Sequence, residues 1–163
     1  MNRRDFLTSL AAGTLVLVLP EQLLASSERK SYMGDKIVKP NEEWKALLTP
    51  EQFGVLRKEG TERPFSSHLN KEYGEGQYVC SACALPLFES TAKFDSGTGW
   101  PSFYQSIAGS TETKRDFKMI LPRTEYHCAR CEGHQGHIFS DGPEPTGQRW
   151  CNNGVALKFI PAS

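Results

Sequence analysis

Gln77-Tyr78-Val79-Cys80-Ser81-Ala82-Cys83 is a short apolar run that ends in a Cys-x-x-Cys turn, and the turn recurs as Cys128-Ala129-Arg130-Cys131 after 44 intervening residues. Two cysteines three positions apart on a tight turn can face one ion, and a second such turn completes a tetrahedron of thiolates about 2.3 Å from a zinc ion. Such a site is closed, with no position open for water or substrate, so the pattern predicts one structural Zn2+ held by Cys80, Cys83, Cys128 and Cys131. Two disulfides are the competing reading. A redox dithiol is a weaker one, because no thioredoxin-like strand–helix–strand pattern surrounds either pair.

Around these turns, short apolar or alternating runs separated by Gly, Pro, Asn and Ser predict antiparallel strands with long loops, as at 77–80, 118–121, 136–139 and 155–160. Helical periodicity is confined to the region before Gly60. Asn41 is expected to cap a helix with Trp44, Leu47 and Leu48 on its apolar stripe. Thr49-Pro50-Glu51-Gln52 carries a capping box with Pro at the first helical position; Phe53 and Leu56 face inward and Gly60 stops the helix. The fold class is therefore mainly β, with short N-terminal helices and a structural zinc site.

The 163 residues carry 19 basic and 19 acidic side chains, a balance that argues against nucleic-acid binding by bulk charge. Residues 1–27 read as an export signal: Arg3-Arg4-Asp5-Phe6-Leu7 looks like the twin-arginine motif, and the apolar run Leu10–Leu19 is too short to span a bilayer. A Sec signal with adjacent arginines is the alternative, and an uncleaved anchor is a further one. The expectation is a periplasmic protein with no membrane insertion after cleavage. Residues 28–40 form a flexible lead-in, and 41–163 make one domain. The twin-arginine route carries folded proteins, which would let zinc be loaded before export.

Five cysteines less four leaves Cys151, in Gln148-Arg149-Trp150-Cys151-Asn152-Asn153-Gly154. In an extended segment Arg149, Cys151 and Asn153 share a face, and the cation would lower the thiol pKa. Asn153-Gly154 is also a turn signal, so the alternation can stop at Asn152. His134 and His137 offer acid–base help to a thiolate. A buried Cys with ordinary loop histidines, or a His-x-x-His metal site, are the other readings. Trp100, Pro101 and Phe103 can wall an apolar pocket or be plain core.

Taken together, the paired knuckles, residues 93–103 (KFDSGTGWPSF), the His134–Phe139 segment, Asp141-Gly142-Pro143 and Arg149–Asn153 resemble the B-type methionine sulfoxide reductases, from about Trp44 to Pro161. The resemblance implies two antiparallel sheets in a tent-like arrangement, with zinc far from the active site. It implies reduction of methionine R-sulfoxide, in oxidised proteins or free, with Cys151 as nucleophile and left as a sulfenic acid. His134 and His137 would hold and protonate the substrate oxygen, while Arg149 and Asn153 tune and order the site. Trp100, with Phe103 and Phe139, would bind substrate. Thr98 occupies the place where many members carry a resolving cysteine, so a thioredoxin-like protein or a small thiol is expected to reduce Cys151 directly. Gln135 and Asn152 replace the commoner Leu and Ile. A monomer is expected. A non-catalytic zinc-stabilised binding module, a one-cysteine peroxidase and a zinc hydrolase or deaminase are the competing functions.

Overall fold

The computed structural model describes residues 34–163, so the export signal expected over 1–27 lies outside the described residues, as does the start of the lead-in. The described part of that lead-in lies against the second knuckle: the Ile37 N–H donates to the Arg130 carbonyl at 2.7 Å. Among the described residues no helix is long and apolar enough to cross a membrane.

Among the described residues two α-helices come first, α1 (Asn41–Leu47) and α2 (Pro50–Lys58). Asn41 does not cap α1: the capping position falls on Pro40, with no side-chain cap bond, and Asn41 is the first helical residue. Trp44 and Leu48 are buried, but Leu47 is exposed, because Leu48 already lies in the extended segment beyond the helix and turns inward in its place. The capping box at Thr49 and Gln52 is present in both directions. The stop signal is displaced by one residue. Glu59 takes the left-handed conformation (φ 53°), and Gly60 follows it with its N–H on the Gly54 carbonyl at 3.0 Å. A Cβ at Gly60 would sit 2.8 Å from that carbonyl oxygen, so it is close approach of backbone that requires glycine there.

Among the described residues nine strands follow, in two antiparallel sheets. Strands β1 (Gly76–Cys80), β2 (Pro86–Glu89) and β9 (Leu157–Pro161) form the smaller, in the order β2-β1-β9. The larger has the order β3-β4-β8-β7-β6-β5. Its strands are β3 (Lys93–Phe94), β4 (Ser102–Phe103), β5 (Thr111–Asp116), β6 (Arg123–Cys128), β7 (His134–Phe139) and β8 (Arg149–Asn152). Aromatic side chains fill the core. Phe88 stacks on Phe103 at 4.1 Å between ring centres, Tyr78 meets Phe103 edge-on at 4.9 Å, and Tyr126 meets Trp150 edge-on at 4.9 Å. Helix α2 packs on β7, and its Arg57 donates to the Cys131 carbonyl at 2.7 Å while lying over the Trp44 ring.

The apolar run at 118–121 is not a strand. It forms the tip of the β5–β6 hairpin, with Met119, Ile120 and Leu121 exposed, and the pairing begins only at Asp116 opposite Arg123. Four consecutive residues with no partner strand beyond them have nothing to bury against, and composition alone cannot show that.

Strand β8 lies between β4 and β7, so Cys151 has Ser102 opposite it on one side and His137 on the other. Gly136 makes this close spacing feasible: a Cβ there would collide with the Cys151 carbonyl oxygen.

Candidate active site and metal centre

The four knuckle sulfurs lie within 4.8 Å of one another. Each knuckle is closed by a backbone bond, Ala84 N–H to Cys80 O at 2.8 Å and Glu132 N–H to Cys128 O at 2.9 Å, with Ala84 and Glu132 both at left-handed φ. Sulfurs at the corners of a tetrahedron about 2.3 Å from its centre stand about 3.8 Å apart. Cys80 and Cys131 are 3.7 Å apart and Cys83 and Cys128 3.5 Å, too far for disulfides and right for a shared ion. Hydrogen bonding with Cys128 raises the Cys80 and Cys131 thiols, while Cys83 and Cys128 are lowered by bonds from their neighbours. A divalent cation resolves that crowding by holding all four as thiolates. The four-cysteine group expected from the spacing is thus assembled and fits a metal ion.

Cys151 opens into a pocket of about 120 Å³, lined also by Trp100, Arg123, His137, Phe139 and Asn153. A groove of about 360 Å³ shares Arg123 and Phe139 with it and runs on past Pro122 and Gln148. Phe103 is elsewhere: it is fully buried against Phe88 and Tyr78, and the substrate-binding role expected for it is corrected to a core one. Adjacent residues on a strand face opposite sides, so Ser102 meets Cys151 while Phe103 enters the core.

Both histidines are oriented by carboxylates. His134 is buried, with Nδ1 2.7 Å from Glu125, and its Nε2 has no partner. His137 places Nε2 2.7 Å from Asp116, and its ring centre lies 5.5 Å from that of His134. Burial pushes the Glu125 carboxyl up, but hydrogen bonds from His127 and His134 outweigh it and hold it at about 2. An ionised carboxylate only accepts, so Nδ1 of His134 is the protonated nitrogen. Asp116 is held below its usual range by the Lys118 N–H, then by His137 and Arg123. Burial lowers the His137 pKa against the pull of Asp116.

Glu125 is therefore also a source of acid lability. Its folded-state pKa lies below its ordinary 4.5, so the stabilisation is complete above about pH 4.5 and is lost as pH falls toward 2. The shift corresponds to about 3 kcal/mol at 1.36 kcal/mol per unit. Chemical denaturation at stepped pH is expected to show this loss, and Glu125→Gln to flatten it while lowering stability at pH 7.

Cys151 does not have the lowered pKa expected of it. Burial raises the thiol; Arg149 and a hydrogen bond with Thr98 pull it down, and the charge of Asp141 raises it again. Arg149 is committed to Asp141, with Nε and Nη2 at 2.9 and 3.0 Å from its two carboxylate oxygens, and it lies over the Phe139 ring. Asp141→Asn is expected to release that charge and move the Cys151 alkylation profile to lower pH; an unmoved or raised inflection would show that Arg149 does not act on the thiol. Thr98 is the near neighbour that sequence reasoning singled out, and Ser96 bridges it to Ser102 at 2.8 Å on each side.

Asn153 is pinned rather than free to reach outward. Its Oδ1 accepts from the Glu62 N–H at 3.0 Å and its Nδ2 donates to the Gln135 carbonyl at 2.8 Å. Glu62, missed in the sequence, organises this corner. Its carboxylate accepts from the N–H groups of Gly154 and Val155 at 2.6 and 2.9 Å, and its carbonyl accepts from Trp100 Nε1 at 3.2 Å. Glu62, Glu125, Asp116 and Arg123 carry no motif of their own. Only Asp116 and Arg123, flanking the apolar run of the hairpin, stand where a pattern could have drawn attention.

The SelR domain family profile matches residues 48–161. The chain is 52% identical over 126 residues to "Peptide methionine sulfoxide reductase MsrB" of Methanosarcina mazei, covering 77% of this chain and 90% of that protein. It is 54% identical over 127 residues to the protein of that name from Pseudomonas putida, covering 77% and 96%. For the one from Pseudomonas savastanoi the figures are 52% over 128 residues, 78% and 98%. The matched span takes in both knuckles, both histidines and Cys151, and the chain belongs to the SelR-domain family of methionine sulfoxide reductases.

Proposed function

We propose that this chain reduces methionine R-sulfoxide to methionine, with Cys151 as the attacking group. The observation that carries the reading is the placement of Cys151 opposite His137, in one pocket with Trp100, beside a buried His134 whose Nε2 has no partner. The Trp100 face receives the substrate methyl group, which leaves one face of the sulfur toward Cys151 and the oxygen toward the histidines. Only one epimer satisfies all three contacts. The Cys151 proton passes through the imidazoles to the sulfoxide oxygen as the sulfur is attacked. The S–O bond of the substrate breaks, the oxygen ends on Cys151 as a sulfenic acid, and the thioether leaves. Two electrons move from the Cys151 sulfur to the substrate sulfur, so the step balances without an added reductant.

The sulfenic acid is then reduced from outside. A thiol attacks it, releasing water and leaving a mixed disulfide, and a second thiol frees Cys151. Thr98 beside Cys151 offers a hydroxyl, which cannot form a disulfide, and the four other cysteines are grouped with one another. A thioredoxin-like protein or a small thiol supplies the electrons. The ion in the four-cysteine centre is Zn2+, with a structural role. The groove continuing from the pocket past Pro122 favours substrates within a polypeptide. The protein acts in the periplasm after export, a reading that rests on the Arg3-Arg4 leader.

The test supplies R- and S-methionine sulfoxide separately with dithiothreitol, and treats the reacted enzyme with a sulfenic-acid reagent. Consumption of R alone, with label on Cys151, is expected. Turnover of S, or a Cys151 disulfide to a knuckle cysteine, would sink the proposal, and reduction of hydrogen peroxide in place of sulfoxide would favour the one-cysteine peroxidase.

A further inference from the structure

Gln135 and Asn152 are fully buried, side by side on β7 and β8. Aliphatic side chains would fill such positions with no polar group to satisfy, so amides there need partners and have to be fixed in orientation. They form one directed chain. The Tyr126 hydroxyl donates to Asn152 Oδ1 at 2.7 Å, Asn152 Nδ2 donates to Gln135 Oε1 at 3.2 Å, and Gln135 Nε2 donates to Cys80 Sγ at 3.5 Å. Tyr126 and Cys80 are also fully buried. The polarity is set from one end: Gln135 Nε2 faces Cys80 Sγ and the Gly133 carbonyl, each at 3.5 Å, and a metal-bound thiolate, like that carbonyl, only accepts, so Oε1 is left to Asn152. That in turn aims Asn152 Nδ2 at Gln135 and leaves its Oδ1 to the Tyr126 hydroxyl.

The other end is the nucleophile. Asn152 adjoins Cys151, and its Nδ2 also reaches the Asn153 carbonyl at 3.1 Å. The Gln135 carbonyl accepts both the backbone N–H of Asn153 at 2.9 Å and its Nδ2 at 2.8 Å. Thus one residue, Gln135, holds a ligand sulfur with its side chain and a pocket residue with its backbone.

We propose that Gln135, Asn152 and Tyr126 are positioning residues that tie the four-cysteine centre to the strand carrying Cys151. The thiolate at Cys80, together with the Gly133 carbonyl that follows the second knuckle, orders the amides, and the ordered amides hold β8 in the register that presents Cys151 to the pocket. The inference rests on the reading of Cys151 as nucleophile.

The test replaces the whole relay with apolar groups of similar size, Tyr126→Phe with Gln135→Leu and Asn152→Ile. Removing every partner together leaves no amide orphaned, and the fold is expected to survive. Gln135→Met alone is the second variant, since Asn152 Nδ2 keeps the Asn153 carbonyl. Co2+ is loaded in place of the native ion. Loss of the Gln135 N–H raises the energy of the sulfur lone pairs, so the thiolate-to-cobalt absorption is expected to move to longer wavelength in both variants. At the other end, kcat for the R-sulfoxide is expected to fall about tenfold with KM within twofold, the scale of a misplaced attacking group. Alkylation of Cys151 should change in rate as well. An unmoved cobalt band, or a moved band with kcat and alkylation both unchanged, would overturn the link. Alkylation needs no sulfoxide, so it reads the Cys151 end even in a protein that proves inactive on R-sulfoxide, and failure of the reductase reading stays distinct from failure of the relay.

Discussion

Cys151→Ser is expected to lower turnover of methionine R-sulfoxide by at least about a thousandfold while leaving the fold intact. The reason is the atom. A serine hydroxyl at this position remains protonated across the working pH range, and its oxygen cannot take up the substrate oxygen to give a sulfenic acid. The pocket has no substitute: among the described residues the other cysteines are gathered in the knuckles, and Thr98 and Ser102 beside Cys151 offer only hydroxyls. The side chain is half-buried, and a serine hydroxyl of similar size can still hydrogen-bond with Thr98, so circular dichroism and thermal unfolding should be close to those of the parent. Substrate binding should also survive, because Trp100, His137 and Asn153 are untouched. Retained R-specific turnover in the variant would remove Cys151 from the chemistry.

Removal of the metal, by a strong chelator or by Cys128→Ser, is expected to unfold much of the chain. Binding of a structural zinc is worth about 10 kcal/mol or more in small domains, comparable with the whole stability of a domain this size. Here an ion held by the four cysteines would join two turns that the sequence places far apart. Between them the turns anchor several elements: Arg57 of α2 bonds the Cys131 carbonyl, Ile37 bonds the Arg130 carbonyl, and Gln135 bonds Cys80 itself. Cys80, Cys128 and Cys131 are buried, so sulfurs left without an ion would stay crowded in a place water does not reach. The thermal midpoint is expected to fall by 15 °C or more, on the scale of about 2–8 °C per kcal/mol, with near-ultraviolet signal from the aromatic core lost in the same transition. A midpoint unchanged after metal analysis confirms an ion-free protein would refute a structural role.

The legible parts of this protein were those where chemistry is fixed by a few residues close in sequence. Thr49-Pro50-Glu51-Gln52 specified a helix start because the capping box closes within one turn. The knuckles specified a four-sulfur site because a Cys-x-x-Cys turn has nearly one geometry. Where neighbours in space decide, the reading went astray. The run at 118–121 has strand composition and lies exposed at a hairpin tip, and Phe103 has a pocket-like context but points into the core. Arg149 stands two residues from Cys151, yet its charge is shared with Asp141, and burial keeps the thiol above its usual range.

Sequence alone therefore determined which atoms are available: four thiols at ligand spacing, a fifth apart from them, two histidines and a tryptophan. Short-range spacing is enough for that, since it depends on residue type and on turns of a few residues. Tertiary structure decided what each group is able to do. Glu125 and Asp116 orient the histidines from a neighbouring hairpin, Glu62 holds Trp100 and the turn after Cys151 from a loop some 90 residues upstream of that turn, and Gln135 reaches Cys80 across 55 residues. Burial, the direction of a hydrogen bond and the partner of a charge are properties of packing, and the packing of one residue is written in residues distant from it along the chain.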